Sequence, residues 1–163
     1  MVSRQTLAAL RRHIWTLLLL AGAEPPVTDA QLEKVARLQG SVVKESPSLT
    51  SLHGCLSATS EGLVIRVNPQ LTPNERRFAI AHEIGHTLID HDVPILRSKL
   101  RAKLERPLTI SHSAKEELCD WIAAELLIPQ PILAAVMTSC GSAGFSVERL
   151  ASEFGTLDTG LYL

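Results

Sequence analysis

This chain of 163 residues predicts an α+β fold, and three observations carry that prediction. A capped, largely apolar helical stretch, Thr72 to Asp90, occupies the middle of the chain. Short segments rich in β-branched residues and bounded by turn residues lie directly before it, and helical periodicity governs both ends. The expected architecture is a small antiparallel sheet of about three strands packed on helices, with the central helix at 72–90 and a helical C-terminal end. A composition 45% hydrophobic and 20% charged suits one domain with a sizeable core, spanning 1–163 with an N-terminal helix in 1–26 and a helical tail in 141–163.

At the N-terminus, Leu7, Leu10, Ile14, Leu17 or Leu18, and Ala21 recur at helical spacing, with Arg4, Arg11 and Arg12 left for the other face. That is the pattern of an amphipathic core helix. The same stretch has a second reading, because Arg11-Arg12-His13 precede an apolar run from Ile14 to Ala23 that ends in the small-x-small form of a signal-peptidase site. At about ten residues the run is too short to span a bilayer. Three cysteines, Cys55, Cys119 and Cys140, form an odd set without CxxC spacing, which suggests neither a disulfide framework nor a thiolate zinc site. A cytoplasmic location is the expectation. The net charge of -1 gives no sign of a general polyanion binder, so neither nucleic acid nor membrane is an expected partner.

After Pro25-Pro26, Thr28 or Asp29 caps a second helix in which Leu32, Val35, Ala36 and Leu38 share a face, ending at Gly40. The period then changes. Ser41 to Glu45 and His53 to Ala58 read as short strands separated by a turn-rich segment, and Glu61-Gly62 turns the chain into Leu63 to Val67, the clearest strand. Asn68-Pro69 ends it just before the central helix.

Thr72-Pro73-Asn74-Glu75 is a capping box with proline at the first helical position, so a helix is announced before its functional residues appear. Within it stands the HExxH motif of His82, Glu83 and His86. Residues four apart lie about 40° apart around a helix and one turn above each other, so both imidazoles can reach one metal ion. Glu83 lies about 100° round from His82, placed to act on a water as a general base without taking a coordination position. Zinc is the expected ion. For a third protein ligand the spacing leaves two candidates open. Asp92 would serve if the chain turned sharply after His86, although that turn calls for glycine where Ile89 stands. Glu116 would serve from a later helix capped by Ser113, with Asp120 one turn on to accept the N–H of a ligating histidine.

The stretch LTPNERRFAIAHEIGHTLI, followed by EELCDWIAAELLIP, resembles the paired motifs of the ImmA/IrrE family of metallopeptidases. The resemblance runs from about Gln31 to Pro129 and implies a zinc-dependent endopeptidase with His82, His86 and Glu116 as ligands and Glu83 as the catalytic base. It also implies a protein substrate, a helix-turn-helix transcriptional repressor whose cleavage releases stress or mobile-element genes. The chain departs from the family pattern at Cys119, Asp120 and Ile122, where the family more often has Ala, Asn and Phe; Asp120 keeps the hydrogen-bond acceptor. A rival from another class is a metal-bearing regulatory module that binds a repressor without cutting it, against which the intact Glu83 argues.

The tail FSVERLASEFGT resembles the family's helix-turn-helix-like end, but 141–163 holds one Arg and no Lys, which favours packing helices over a DNA contact. His112 and Tyr162 are candidates for stabilising an oxyanion. An extended substrate is expected along the Leu63–Val67 strand if that strand is the sheet edge. Between the metal helices, Arg97, Lys99, Arg101, Lys103 and Arg106 form a basic run that is either a solvated face or a contact for acidic substrate.

Overall fold

The computed structural model describes residues 3–60, 62–89 and 111–140. Helix α1 (Arg4–Ala21) is started by Ser3, whose side chain accepts from the Thr6 N–H, and stopped by Gly22 in the left-handed conformation at φ 64°. It buries Leu10, Ile14, Leu17, Leu18 and Ala21, the face expected of an amphipathic core helix. Among the described residues no helix is long and apolar enough to cross a membrane. Helix α2 (Asp29–Leu38) starts with a full capping box between Thr28 and Gln31 and buries Leu32, Val35 and Ala36.

Three strands follow, β1 (Ser41–Glu45), β2 (Gly54–Thr59) and β3 (Gly62–Val67). The α+β class is as the sequence predicts, but the sheet is mixed rather than wholly antiparallel: its order is β1-β3-β2, with β1 parallel to β3. The reason lies in the connections. A tight hairpin through Gly62 folds β3 antiparallel onto β2, with Leu56 opposite Ile65. The segment between β1 and β2 spans the end of the sheet and leaves the middle place to β3, whose Val64, Ile65 and Val67 are buried. β3 is therefore central, so the condition for substrate pairing along Leu63–Val67, that this strand be the sheet edge, is not met; among the described residues β2 is an edge strand.

Helix α3 (Pro73–Ile89) begins with the predicted capping box, in which Thr72 N donates to Glu75 Oε2 at 2.8 Å and Glu75 N donates to Thr72 Oγ1 at 3.4 Å. Arg76 ties its first turn to α2 and β1 through Asp29 (2.9 Å) and Glu45 (3.1 Å). Beyond that turn α3 is enclosed by α2, the sheet and α4 (His112–Leu127), which explains why Ala79, Ile80, Ala81, Ile84 and Gly85 are all buried instead of one stripe. The cap of α4 is Ser111, which accepts from Ala114 N; Ser113, expected in that role, lies inside the first turn and reaches Glu117. Helix α5 (Gln130–Cys140) follows after Pro129. Glu125, buried in α4, joins three helices: it pairs with Arg11 (3.1 Å) and accepts from Trp15 Nε1 (2.9 Å) and from the Gln130 backbone N–H (3.2 Å). Asp92, the 97–106 basic run, Tyr162 and the 141–163 tail fall outside the described residues.

Candidate metal centre

The site forms where α3 and α4 cross under the edge of β2. His82 and His86 project from α3 with their Nε2 atoms 3.2 Å apart. From α4, Glu116 puts Oε2 3.3 Å from His82 Nε2 and Oε1 3.6 Å from His86 Nε2. Donors around one tetrahedral zinc at 2.0–2.1 Å stand about 3.3–3.4 Å from each other. The spacing of these three side chains fits such an ion.

The orientation of His82 is set from behind. Asp120 Oδ1 lies 2.8 Å from His82 Nδ1, so Nδ1 carries the proton and Nε2 turns its lone pair toward His86 and Glu116. Glu116 and Asp120 are one turn apart on α4, which is why one helix supplies both a candidate ligand and the group that orients another.

Glu83 sits differently from the other acids. Its residue is only 7% exposed, because α3 presents it to β2 instead of to solvent. Burial raises the pKa of its carboxyl, and Glu116 adds to the rise; His86, His82 and a hydrogen bond from the Leu56 backbone N–H work against it. A carboxyl tuned upward beside a metal position holds a proton more readily than an exposed glutamate does, which suits it to passing one on.

That strand contact depends on a residue with no side chain. A Cβ on Gly54 would stand 3.1 Å from Glu83 Cγ and 3.3 Å from its Oε1. Sequence reasoning missed Gly54, although a glycine inside a strand signals a close backbone approach. Leu56, whose amide holds the carboxylate, could not be found from side-chain chemistry at all. The cleft in front of these groups has a volume of about 650 Å³ and is lined by Leu52, His53, Cys55 and Phe78 as well as the motif residues. His112, a candidate for the oxyanion, has Nδ1 3.6 Å from Glu116 Oε1, with its side chain 86% exposed. Cys119 comes to the centre although its sequence spacing suggested no metal role: one donor atom each from His82, His86 and Cys119 lie within 4.8 Å of one another.

A family model described as the IrrE N-terminal-like domain, a peptidase family, matches residues 38–156. The chain belongs to that family. The match takes in His82, Glu83, His86, Glu116 and Asp120, and membership of a metallopeptidase family implies a metal ion, with which the donor spacing agrees. The radiation response metalloprotease IrrE of Deinococcus radiodurans is 33% identical over 94 residues, which are 55% of this chain and 26% of that protein. The protein of the same name from Deinococcus deserti is 35% identical over 88 residues, 54% of this chain and 30% of that one. The matched part thus spans about a quarter to a third of the length of these relatives. Among solved structures, a Mycobacterium tuberculosis transcriptional regulator has a similar fold, with a TM-score of 0.63 at 21% identity over 90% of this chain and 43% of that one.

Proposed function

We propose that this chain is one metallopeptidase domain that hydrolyses peptide bonds with zinc held by His82, His86 and Glu116. The observation that carries the reading is the 3.2–3.6 Å spacing of three donors beside a buried carboxyl, Glu83. When bound, the ion polarises the scissile carbonyl and acidifies a water. Glu83 takes the proton of the attacking water and passes it to the leaving amine. Its neutral form is accessible because burial favours it, and the Leu56 amide keeps the carboxyl pointed at the cleft. Asp120 holds the His82 ring in the tautomer that leaves Nε2 available.

The outer edge of β2 borders the same cleft, so an extended peptide can add to it as a further strand, with its scissile bond passing His82 and Glu83. The substrate in this reading is a transcriptional repressor, cut in the cytoplasm to release stress genes. The family and its Deinococcus members, which are radiation response metalloproteases, support that choice. A regulatory module that binds without cutting has less support, because it has no use for a carboxyl desolvated beside the ion. The test is co-incubation of the protein with the transcription regulator encoded beside it, with and without a chelator. Fragments that appear only with metal, and not with Glu83→Gln, are the expected result; intact regulator under every condition would leave the binding module as the better account.

A further inference from the structure

We propose that Cys119 is a thiolate donor of this metal centre, supplied by the same helix as Glu116. The proposal rests on the reading of His82, His86 and Glu116 as a metal site and adds a donor to it. Cys119 and Glu116 are three residues apart and share the face of α4 that meets α3. The thiol and one ring nitrogen from each histidine lie within 4.8 Å of one another. Around a tetrahedral zinc, sulfur and nitrogen donors stand about 3.6 Å apart, given metal distances of 2.3 and 2.0–2.1 Å, so a small rotation of the side chain closes the set.

The backbone holds Cys119 there. It is fully buried, and a Cβ on the facing Gly85 would stand 3.1 Å from its Cα and 3.3 Å from its carbonyl oxygen. Helix packing therefore brings the sulfur to the histidines.

On binding, the S–H proton leaves to solvent, a sulfur–metal bond forms, and no electrons are transferred. Two consequences follow. A soft donor makes the site prefer zinc or cobalt over manganese. With His82, His86 and Glu116 it also makes four protein donors, the number that fills a tetrahedral zinc centre.

The full chain, stripped of metal and reloaded with cobalt(II), tests this without reference to activity. One equivalent of cobalt should give the visible bands of a tetrahedral ion together with a sulfur-to-cobalt charge-transfer absorption in the near ultraviolet. Cys119→Ala and Cys119→Ser should lose that absorption while still binding cobalt, and Glu116→Gln should keep it. The preference for zinc over manganese should fall by about tenfold or more in Cys119→Ala. Tetrahedral bands with no sulfur absorption in the wild-type protein would overturn the proposal and leave the histidine and carboxylate centre standing. Failure of the wild-type protein to bind cobalt at all would overturn both. The wild-type spectrum decides by itself, so the outcome does not depend on a variant folding.

Discussion

Gly85 and Cys119 meet backbone to backbone where α3 crosses α4, so closely that a methyl group at 85 would lie 3.1 Å from the Cys119 Cα and 3.2 Å from its Cβ. This contact sets the distance between the helix that carries His82 and His86 and the helix that carries Glu116 and Asp120. The atoms in the way belong to or adjoin the α4 backbone, so they cannot swing aside. Gly85→Ala should therefore push the helices apart. Overpacking costs about 1–3 kcal/mol, and alanine returns up to about 1 kcal/mol of helix propensity. A net loss of about 1–2 kcal/mol in denaturant unfolding is expected, with weaker zinc binding by titration. An unchanged zinc affinity would mean that the crossing distance does not govern the site.

Glu83→Gln keeps the size of the side chain and removes the proposed base. Zinc content should stay at the wild-type level, while cleavage of the regulator falls by about 10²–10⁴-fold. Elemental analysis and a gel-based cleavage assay give the two readouts. Because the pKa of Glu83 is raised above 4.5, the acid limb of the wild-type rate should lie above that pH, activity rising as the carboxyl loses its proton. That limb should be missing from whatever rate remains in Glu83→Gln.

Asp120→Ala should weaken zinc binding by about 10–100-fold without abolishing it, since His82 loses the partner that selects its tautomer but not its donor atom. Glu116→Gln should weaken binding further, because in the proposed centre a ligand is then lost rather than oriented less well. Competition with a chromophoric chelator would rank the two, and the reverse order would assign the ligand role to Asp120.

Glu125 offers a test of the fold away from the cleft. Glu125→Ala leaves the partly buried Arg11 guanidinium, the Trp15 N–H and the Gln130 N–H without their acceptor. The expected loss is about 2–3 kcal/mol in chemical denaturation, because hydrogen bonds to charged groups are the stronger ones and their partners are left behind. Glu125→Gln, which can still accept from Trp15, should lose less. Equal losses would mean that volume, rather than charge and hydrogen bonding, accounts for the effect.

The capping box at Thr72 and Glu75 gives a pH-dependent signature. The backbone N–H and hydroxyl of Thr72 lower the pKa of Glu75 below its ordinary 4.5. A carboxyl with a lowered folded pKa contributes stability above its unfolded value and loses it as pH falls through the folded value. Thr72→Ala should therefore destabilise the protein at neutral pH, with the difference from wild type shrinking below pH 4.5. Melting temperatures at pH 7 and pH 3 would show it, and a constant difference would remove the ionised Glu75 from the account.

His82, Glu83 and His86 were legible in the sequence because their relation is local. A helix announced by its own capping box puts residues four apart on one face whatever it packs against. The pairing of Glu116 with Asp120 was legible for the same reason, and so were the faces of α1 and α2. Where burial depended on neighbours, periodicity said less: α3 is enclosed on several sides, and the burial of Glu83 follows from its contact with β2.

What the sequence by itself determined is therefore the helices and strands of the described residues and the donors that each helix offers, since capping, turn chemistry and residue spacing act over a few residues. Only the tertiary structure decided that β3, the clearest strand, lies in the middle of a mixed sheet and that β2 is the edge beside the cleft. It alone brought Gly54 and the Leu56 amide against Glu83, and Cys119 within reach of the histidines. The physical reason is common to all of these. Each depends on how closely two backbones distant in sequence can approach, and that is set by packing across the α3–α4 and α3–β2 contacts, where the absence of a Cβ at Gly85 and Gly54 matters as much as any side chain present.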